Sequence, residues 1–279
     1  MSAVNGFDYH PAVVMVDILR GQEWPGGPDI AEDFHEASSL YRKSIAPPTS
    51  GPAAALYNDG YDPSTVGEFS AARGTPAIAL PTPVPPEANL VDCLRARHSF
   101  RDFVGAPGRL QDLSSVLHWS AGLKAEADPS SAPNGRFVPS AGGLFPLDLY
   151  VLVTRCEGLA PGVYLYDPYR QVLERRPECD AALVAENTSE PELLERAAFT
   201  VVIAATIWRS RAKYGVRAYR YVLMEAGHVA QNLTLVGGAL GLRSLAWNGF
   251  FDRSFNESLG LDGTDELALY LVTFGGIDD

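Results

Sequence analysis

Lys213 and Tyr214, side by side and followed by Gly215, are a residue pair suited to proton abstraction. An ammonium next to a phenol favours the phenolate, which is a competent base. The plainer alternative is a basic surface loop within Arg209–Arg220 (RSRAKYGVRAYR). A second group is Arg97-His98-Ser99-Phe100-Arg101-Asp102-Phe103. If that segment is extended, Arg97, Ser99 and Arg101 project to one side and cradle a phosphate or another polar anion. It also fits a helix end with a serine turn and two solvated arginines. A third is Pro139-Ser140-Ala141-Gly142-Gly143-Leu144-Phe145-Pro146. Small residues there let the backbone come close to a flat ligand, although an ordinary glycine turn has the same composition. The fourth, Trp247-Asn248-Gly249-Phe250-Phe251, offers a backbone amide to a ring edge, with aromatic walls beside it.

Composition narrows what these groups could serve. The chain has 279 residues, 46% hydrophobic and 20% charged, enough to bury a substantial core. A net charge of -12 argues against nucleic acid or an anionic membrane surface as the main partner. Only Lys43, Lys124 and Lys213 supply side-chain amines, so any task needing one has few candidates. Cys93, Cys156 and Cys179 are odd in number and far apart, and Ser39 stands where an HExxH helix needs its second histidine. Neither a disulfide framework nor a zinc site is expected. The run Ala12–Val16 is short, broken by Asp17 and lacks a basic start, and the longest apolar stretch, Ala197–Trp208, is too short to cross a bilayer. The expectation is a reduced, cytoplasmic protein. Gly237-Gly238-Ala239-Leu240-Gly241 is not a dinucleotide-binding turn, and there is no Walker A sequence.

The elements that must position the four groups follow from periodicity. Residues 1–86 read as an N-terminal helical and proline-rich arm, with a helix over Ile30–Lys43 and nine prolines between Ile45 and Ala88. The body, 87–279, opens with helical spacing over Glu87–Arg97, with Leu90, Val91 and Leu94 on one side. A second helix, Leu110–Leu123, turns Leu113, Val116 and Leu117 inward. Asp148–Thr154 is a strand, Gly162–Asp167 and Gln171–Arg175 form a hairpin, and Pro177–Ala198 holds one or two helices. Phe199–Ile207 is a continuous apolar run, as in a central strand. Arg217–Leu240 is the longest helix, with Arg217, Tyr221, Glu225, His228 and Asn232 in one polar stripe. That stripe fits a solvated polar face, and, because it has few charges, it fits a helix packed on two sides at least as well; neither Glu225 nor His228 is given a catalytic role. Arg243–Trp247 and Glu266–Phe274 are strands, with a short helix over Arg253–Leu259 between them. The sum is an α+β fold, one mostly antiparallel sheet with helices against it.

In this order the motifs resemble the nitroreductase-like flavoprotein superfamily, and within it the SagB-type dehydrogenases, the azoline oxidases of peptide natural-product pathways. DFHEASSLYRK, RHSFRDF, PSAGGLFPLDLYV, GVYLYDP, KYGVRAYRYVLMEAGHVAQNL and ALGLRSLAWNGFFD carry the resemblance, from about Asp33 to Gly276. It implies an FMN-binding, intertwined homodimer with sites formed across the subunit interface. Arg97, His98, Ser99 and Arg101 then contact FMN. Pro139, Ser140, Ala141, Gly142 and Gly143 come from the partner subunit and line the flavin, and Asn248 and Gly249 lie near its N5 or O4. Lys213 and Tyr214 match the Lys-Tyr pair used in azoline dehydrogenation. Gly143 stands where many nitroreductases carry asparagine. No basic segment follows Gly275-Gly276, so Arg209, Arg211 and Arg217 become further candidates for the FMN phosphate.

The resemblance implies oxidation of a peptide thiazoline or oxazoline to the azole, with a cyclodehydratase or a peptide synthetase carrier domain presenting the substrate. Two other functions fit the same sequence. One is an NAD(P)H-dependent nitro or quinone reductase, indifferent to Lys213. The other is a flavin-free scaffold subunit of a biosynthetic complex, which would purify colourless.

Overall fold

The computed structural model describes residues 30–39, 77–124 and 135–276. The run Ala12–Val16, most of the proline-rich stretch and Lys43 lie outside the described residues. The chain divides into two units, residues 1–46 and 47–279. In the first, helix α1 (Ile30–Ala37) ends where the Ser39 hydroxyl donates to the His35 carbonyl at 2.8 Å.

The second unit is organised by a seven-stranded sheet. In chain order its strands are β1 (Ala77–Ala79), β3 (Leu147–Val153), β5 (Gly162–Asp167), β6 (Val172–Arg175), β7 (Phe199–Thr206), β8 (Ser244–Trp247) and β9 (Glu266–Phe274). Their spatial order is β1-β6-β5-β3-β7-β9-β8, and every pairing is antiparallel. Two short parallel strands, β2 (Gly108–Arg109) and β4 (Cys156–Glu157), stand apart from it. The expected strands and hairpin are present, and β9 has the expected bounds. The three-residue edge strand β1 comes from the stretch that reads as a proline-rich arm.

Helices cover both faces of the sheet. On one face, Val151, Tyr164, Phe199, Val201, Ile203 and Phe274 pack with residues of α3 (Leu110–Ala121) and α7 (Ala218–Ala239). On the other, Tyr150, Leu152, Leu165, Val202 and Leu271 pack with α4 (Ala181–Glu186), α5 (Pro191–Arg196) and α8 (Asp252–Ser258). Two-sided burial is why β7 reads as unbroken Phe-Thr-Val-Val-Ile-Ala-Ala with no alternation. Its one early hydroxyl is satisfied, because Thr200 donates to Thr273 at 3.0 Å.

Helix α2 (Leu90–Ala96) starts where the Asn89 side chain accepts the Val91 N–H, as a capping residue should. Its apolar side is exposed: Leu90, Val91 and Leu94 are 65%, 50% and 52% exposed. Leu223 and Met224 on α7 are exposed too, at 46% and 54%, and α2 contacts α7. No helix among the described residues is long and apolar enough to cross a membrane.

Candidate functional site

Lys213 and Tyr214 are the last two residues of helix α6 (Trp208–Tyr214), not part of a loop. Gly215 stops the helix with φ +56°, and a 3-10 turn over Gly215–Arg217 leads into α7. The Lys213 Nζ lies 5.5 Å from the centre of the Tyr214 ring, and that ring meets Tyr221 edge-on at 5.0 Å.

The glycine segment arrives at the same place. Ala141–Gly143 form a 3-10 turn just before β3, with Gly142 at φ +66° and Gly143 at φ +68°. A Cβ on Gly142 would fall into the Tyr214 hydroxyl and would lie 3.0 Å from Lys213 Nζ. The backbone angle favours glycine at 142, and a side chain there would displace the tips of Tyr214 and Lys213. A Cβ on Gly143 would meet nothing within 4 Å, so the backbone is open there. Two segments separated by about seventy residues thus converge within one chain, the turn carrying Ser140–Gly143 and the Lys213–Tyr214 pair.

Below the turn lies a residue given no role from sequence. The Ser140 hydroxyl donates to Glu225 Oε2 at 2.6 Å and accepts the Phe145 N–H at 2.9 Å. Glu225 sits on α7, only 4% exposed. Burial pushes its pKa up to about 7, with the Ser140 hydrogen bond and the nearby Arg136 charge opposing the shift. Phe145 has φ +43°, a left-handed conformation for a bulky residue, and the Arg136 guanidinium stands 4.6 Å from its ring centre. The polar stripe of α7 was visible in the sequence. Its burial was not, because the Ser140 that meets it lies 85 residues away.

The arginine group sits elsewhere. Arg97, His98, Ser99 and Arg101 are exposed, and Arg97 Nη1 reaches the Ser99 hydroxyl at 3.5 Å. The segment runs along the sheet edge, where the Phe100 N–H donates to the Ser244 carbonyl at the start of β8. That point follows the C-terminal end of α7, where Gly237 packs on Phe274. Tyr214 precedes the N-terminal end of the same 22-residue helix, whose length is about 33 Å. Within one chain, then, the arginines and the Lys-Tyr pair occupy opposite ends of α7. Asn248, exposed, and Gly249 follow β8, with the Gly249 carbonyl accepting the Ser189 N–H at 2.7 Å. Of the other arginines, Arg209 is held by Asp148 at 2.8 Å, Arg211 lies over the Trp208 ring and Arg217 donates to the Tyr221 hydroxyl at 3.0 Å.

Residues 94–276 match the sequence pattern of the Nitroreductase family. The chain belongs to this family. The Methanocaldococcus jannaschii protein MJ1384, named for a nitroreductase, is 35% identical over 193 residues, 68% of this chain and 91% of that protein. The microcin B17-processing protein McbC of Escherichia coli is 29% identical over 163 residues, 56% of this chain and 60% of McbC. Among solved structures, a chain of the E. coli microcin synthetase McbBCD complex with truncated pro-MccB17 superposes with TM-score 0.54 at 22% identity. That match covers 90% of this chain and 92% of the other. The antiparallel sheet between helical layers is the nitroreductase-like fold, and the chain is an oxidoreductase of that family.

Proposed function

We propose that this protein is an FMN-dependent dehydrogenase that converts thiazolines or oxazolines in a peptide to the aromatic azoles. The observation that carries this reading is the contact of Tyr214 and Lys213 with the backbone of Gly142. It supports reading the pair as a base beside a turn whose next residue, Gly143, presents open backbone. Similarity to a protein that processes microcin B17 supports a peptide substrate.

The residues fit the cofactor. An open, side-chain-free turn at Gly143 suits a planar ring, and two exposed guanidiniums at Arg97 and Arg101 suit a phosphate and a polar ring edge. Bound FMN would supply the two-electron acceptor for a hydride from the azoline Cβ. Tyr214 takes the Cα proton, which is acidic because Cα is bonded to the imine nitrogen and to the downstream carbonyl carbon. The Lys213 ammonium stabilises the phenolate that does so. Loss of that proton and of the hydride leaves the aromatic ring.

A second copy of this chain completes the site. The two groups of residues lie at opposite ends of α7, and the apolar side chains of Leu90, Val91, Leu94, Leu223 and Met224 are uncovered within the chain. Antiparallel apposition of two such surfaces brings the arginines of one protomer to the Lys-Tyr end of its partner. A cyclodehydratase or a synthetase carrier domain presents the peptide.

The test is incubation of the yellow, FMN-containing protein with an azoline-bearing peptide, read by mass spectrometry. The peptide should lose two hydrogens with wild type and keep them with Lys213→Ala or Tyr214→Phe. Equal conversion by both variants and wild type would remove the proposed base. The name of the M. jannaschii relative favours a second reading, an NAD(P)H-dependent nitro or quinone reductase. That reading requires rapid nicotinamide oxidation that survives Lys213→Ala.

A further inference from the structure

The turn over Ala141–Gly143 has an unusual backbone. Gly142, Gly143 and Phe145 all have positive φ, and Phe145 is not a glycine. Glycine takes that conformation freely, but Phe145 holds it only where its surroundings over-determine it. Two contacts do so here. The Ser140 hydroxyl closes the turn by accepting the Phe145 N–H, and the Arg136 guanidinium covers the Phe145 ring. The first contact depends on a third residue. A serine hydroxyl rotates freely unless its proton has a fixed acceptor, and Glu225 Oε2 is that acceptor at 2.6 Å. Glu225 is itself immobile, because it is buried on the central helix of the fold.

We propose that Glu225 is a positioning residue for the Lys213–Tyr214 pair: it fixes Ser140, Ser140 closes the turn on Phe145, and the turn seats Gly142 against the Tyr214 hydroxyl and the Lys213 amine. Glu225 touches none of the reacting atoms. It acts through a hydrogen-bond acceptor, and glutamine supplies that acceptor equally well. Its negative charge is not what the turn requires.

The activity arm of the test rests on the azoline reading, so a second arm is independent of it. In the first, Glu225→Ala lowers kcat on an azoline peptide about tenfold or more with KM little changed, because the base is misplaced rather than the substrate lost. Glu225→Gln restores turnover. In the second, ultraviolet absorbance difference between each protein and its own Tyr214→Phe counterpart isolates the titration of the Tyr214 hydroxyl. That titration moves in Glu225→Ala and moves less in Glu225→Gln, which loses the carboxylate charge but keeps the acceptor. If wild type does not oxidise azolines, the functional reading fails while the second arm still judges the positioning. Should Glu225→Ala not fold, Ser140→Ala cuts the same link from the other side and should show the same displacement of the Tyr214 titration. The proposal is overturned if the alanine variants leave that titration at the wild-type position, or if Glu225→Gln displaces it as far as Glu225→Ala.

Discussion

Glu225→Gln should make the protein more stable, and increasingly so as pH rises from acid to neutral. The side chain is buried, and its pKa goes from an ordinary 4.5 to about 7 in the folded state. Folding therefore favours the protonated carboxyl. The stabilisation from holding that proton is fully present below pH 4.5, declines as pH rises and is lost once pH passes about 7. At about 1.4 kcal/mol per unit, the shift corresponds to roughly 3 kcal/mol between the two limits. Little discount for solvent applies to a group this deeply enclosed. Glutamine keeps the acceptor for Ser140 and cannot ionise, so it escapes the penalty. Urea unfolding of wild type and Glu225→Gln at pH 5 to 9 measures the difference directly, because the background from all other carboxylates is common to both. The gap in unfolding free energy should widen by about 2 kcal/mol or more between pH 5 and pH 8 in favour of glutamine. A constant gap across that range would mean that Glu225 ionises as readily in the folded chain as in the unfolded one.

Five further substitutions probe the site and its assembly. Gly142→Ala drives a methyl group into the Tyr214 hydroxyl at a left-handed backbone position. It should lower turnover on an azoline peptide about tenfold or more and stability by about 1 kcal/mol, and wild-type kinetics would contradict the placement of the turn. Arg97→Ala and Arg101→Ala should each weaken FMN binding about tenfold, read by quenching of flavin fluorescence, because each removes a charge-assisted contact. Leu94→Asp and Leu223→Asp should shift the protein toward monomer by light scattering, weakening the dimer about tenfold or more, and an unchanged mass would leave that apolar surface without the partner assigned to it.

Elements whose own side chains decide their environment were legible in the sequence. β7 is apolar along its length because both faces are covered, and α7 shows the helical period through Val222, Ala226, Val229 and Leu233, all buried. Elements decided by distant chain were not. β1 is three residues with no period to detect, and β6 alone makes it a strand. Periodicity correctly placed Leu90, Val91 and Leu94 on one side of α2, but it carries no information about which molecule covers that side. The site divides the same way. Lys213, Tyr214 and Gly142 were each identifiable by type, and the fold supplies their contact. Glu225 stood in a recognisable polar stripe, yet only the arrival of Ser140 from another segment gives it work to do. A buried acid on a long helix, three positions from the histidine His228, which faces solvent, looks no different in sequence from a surface one.

The placement of the two residue groups at opposite ends of α7 has a genetic consequence. In the proposed dimer, one subunit lends its arginine end and its partner lends its Lys-Tyr end to each site. Pair an Arg97→Ala subunit with a Tyr214→Phe subunit, and both lesions fall into the same site. The other site is then built entirely from intact halves. Two alleles that are each impaired alone would complement when co-expressed, whereas two alleles damaged at the same end of α7 would not.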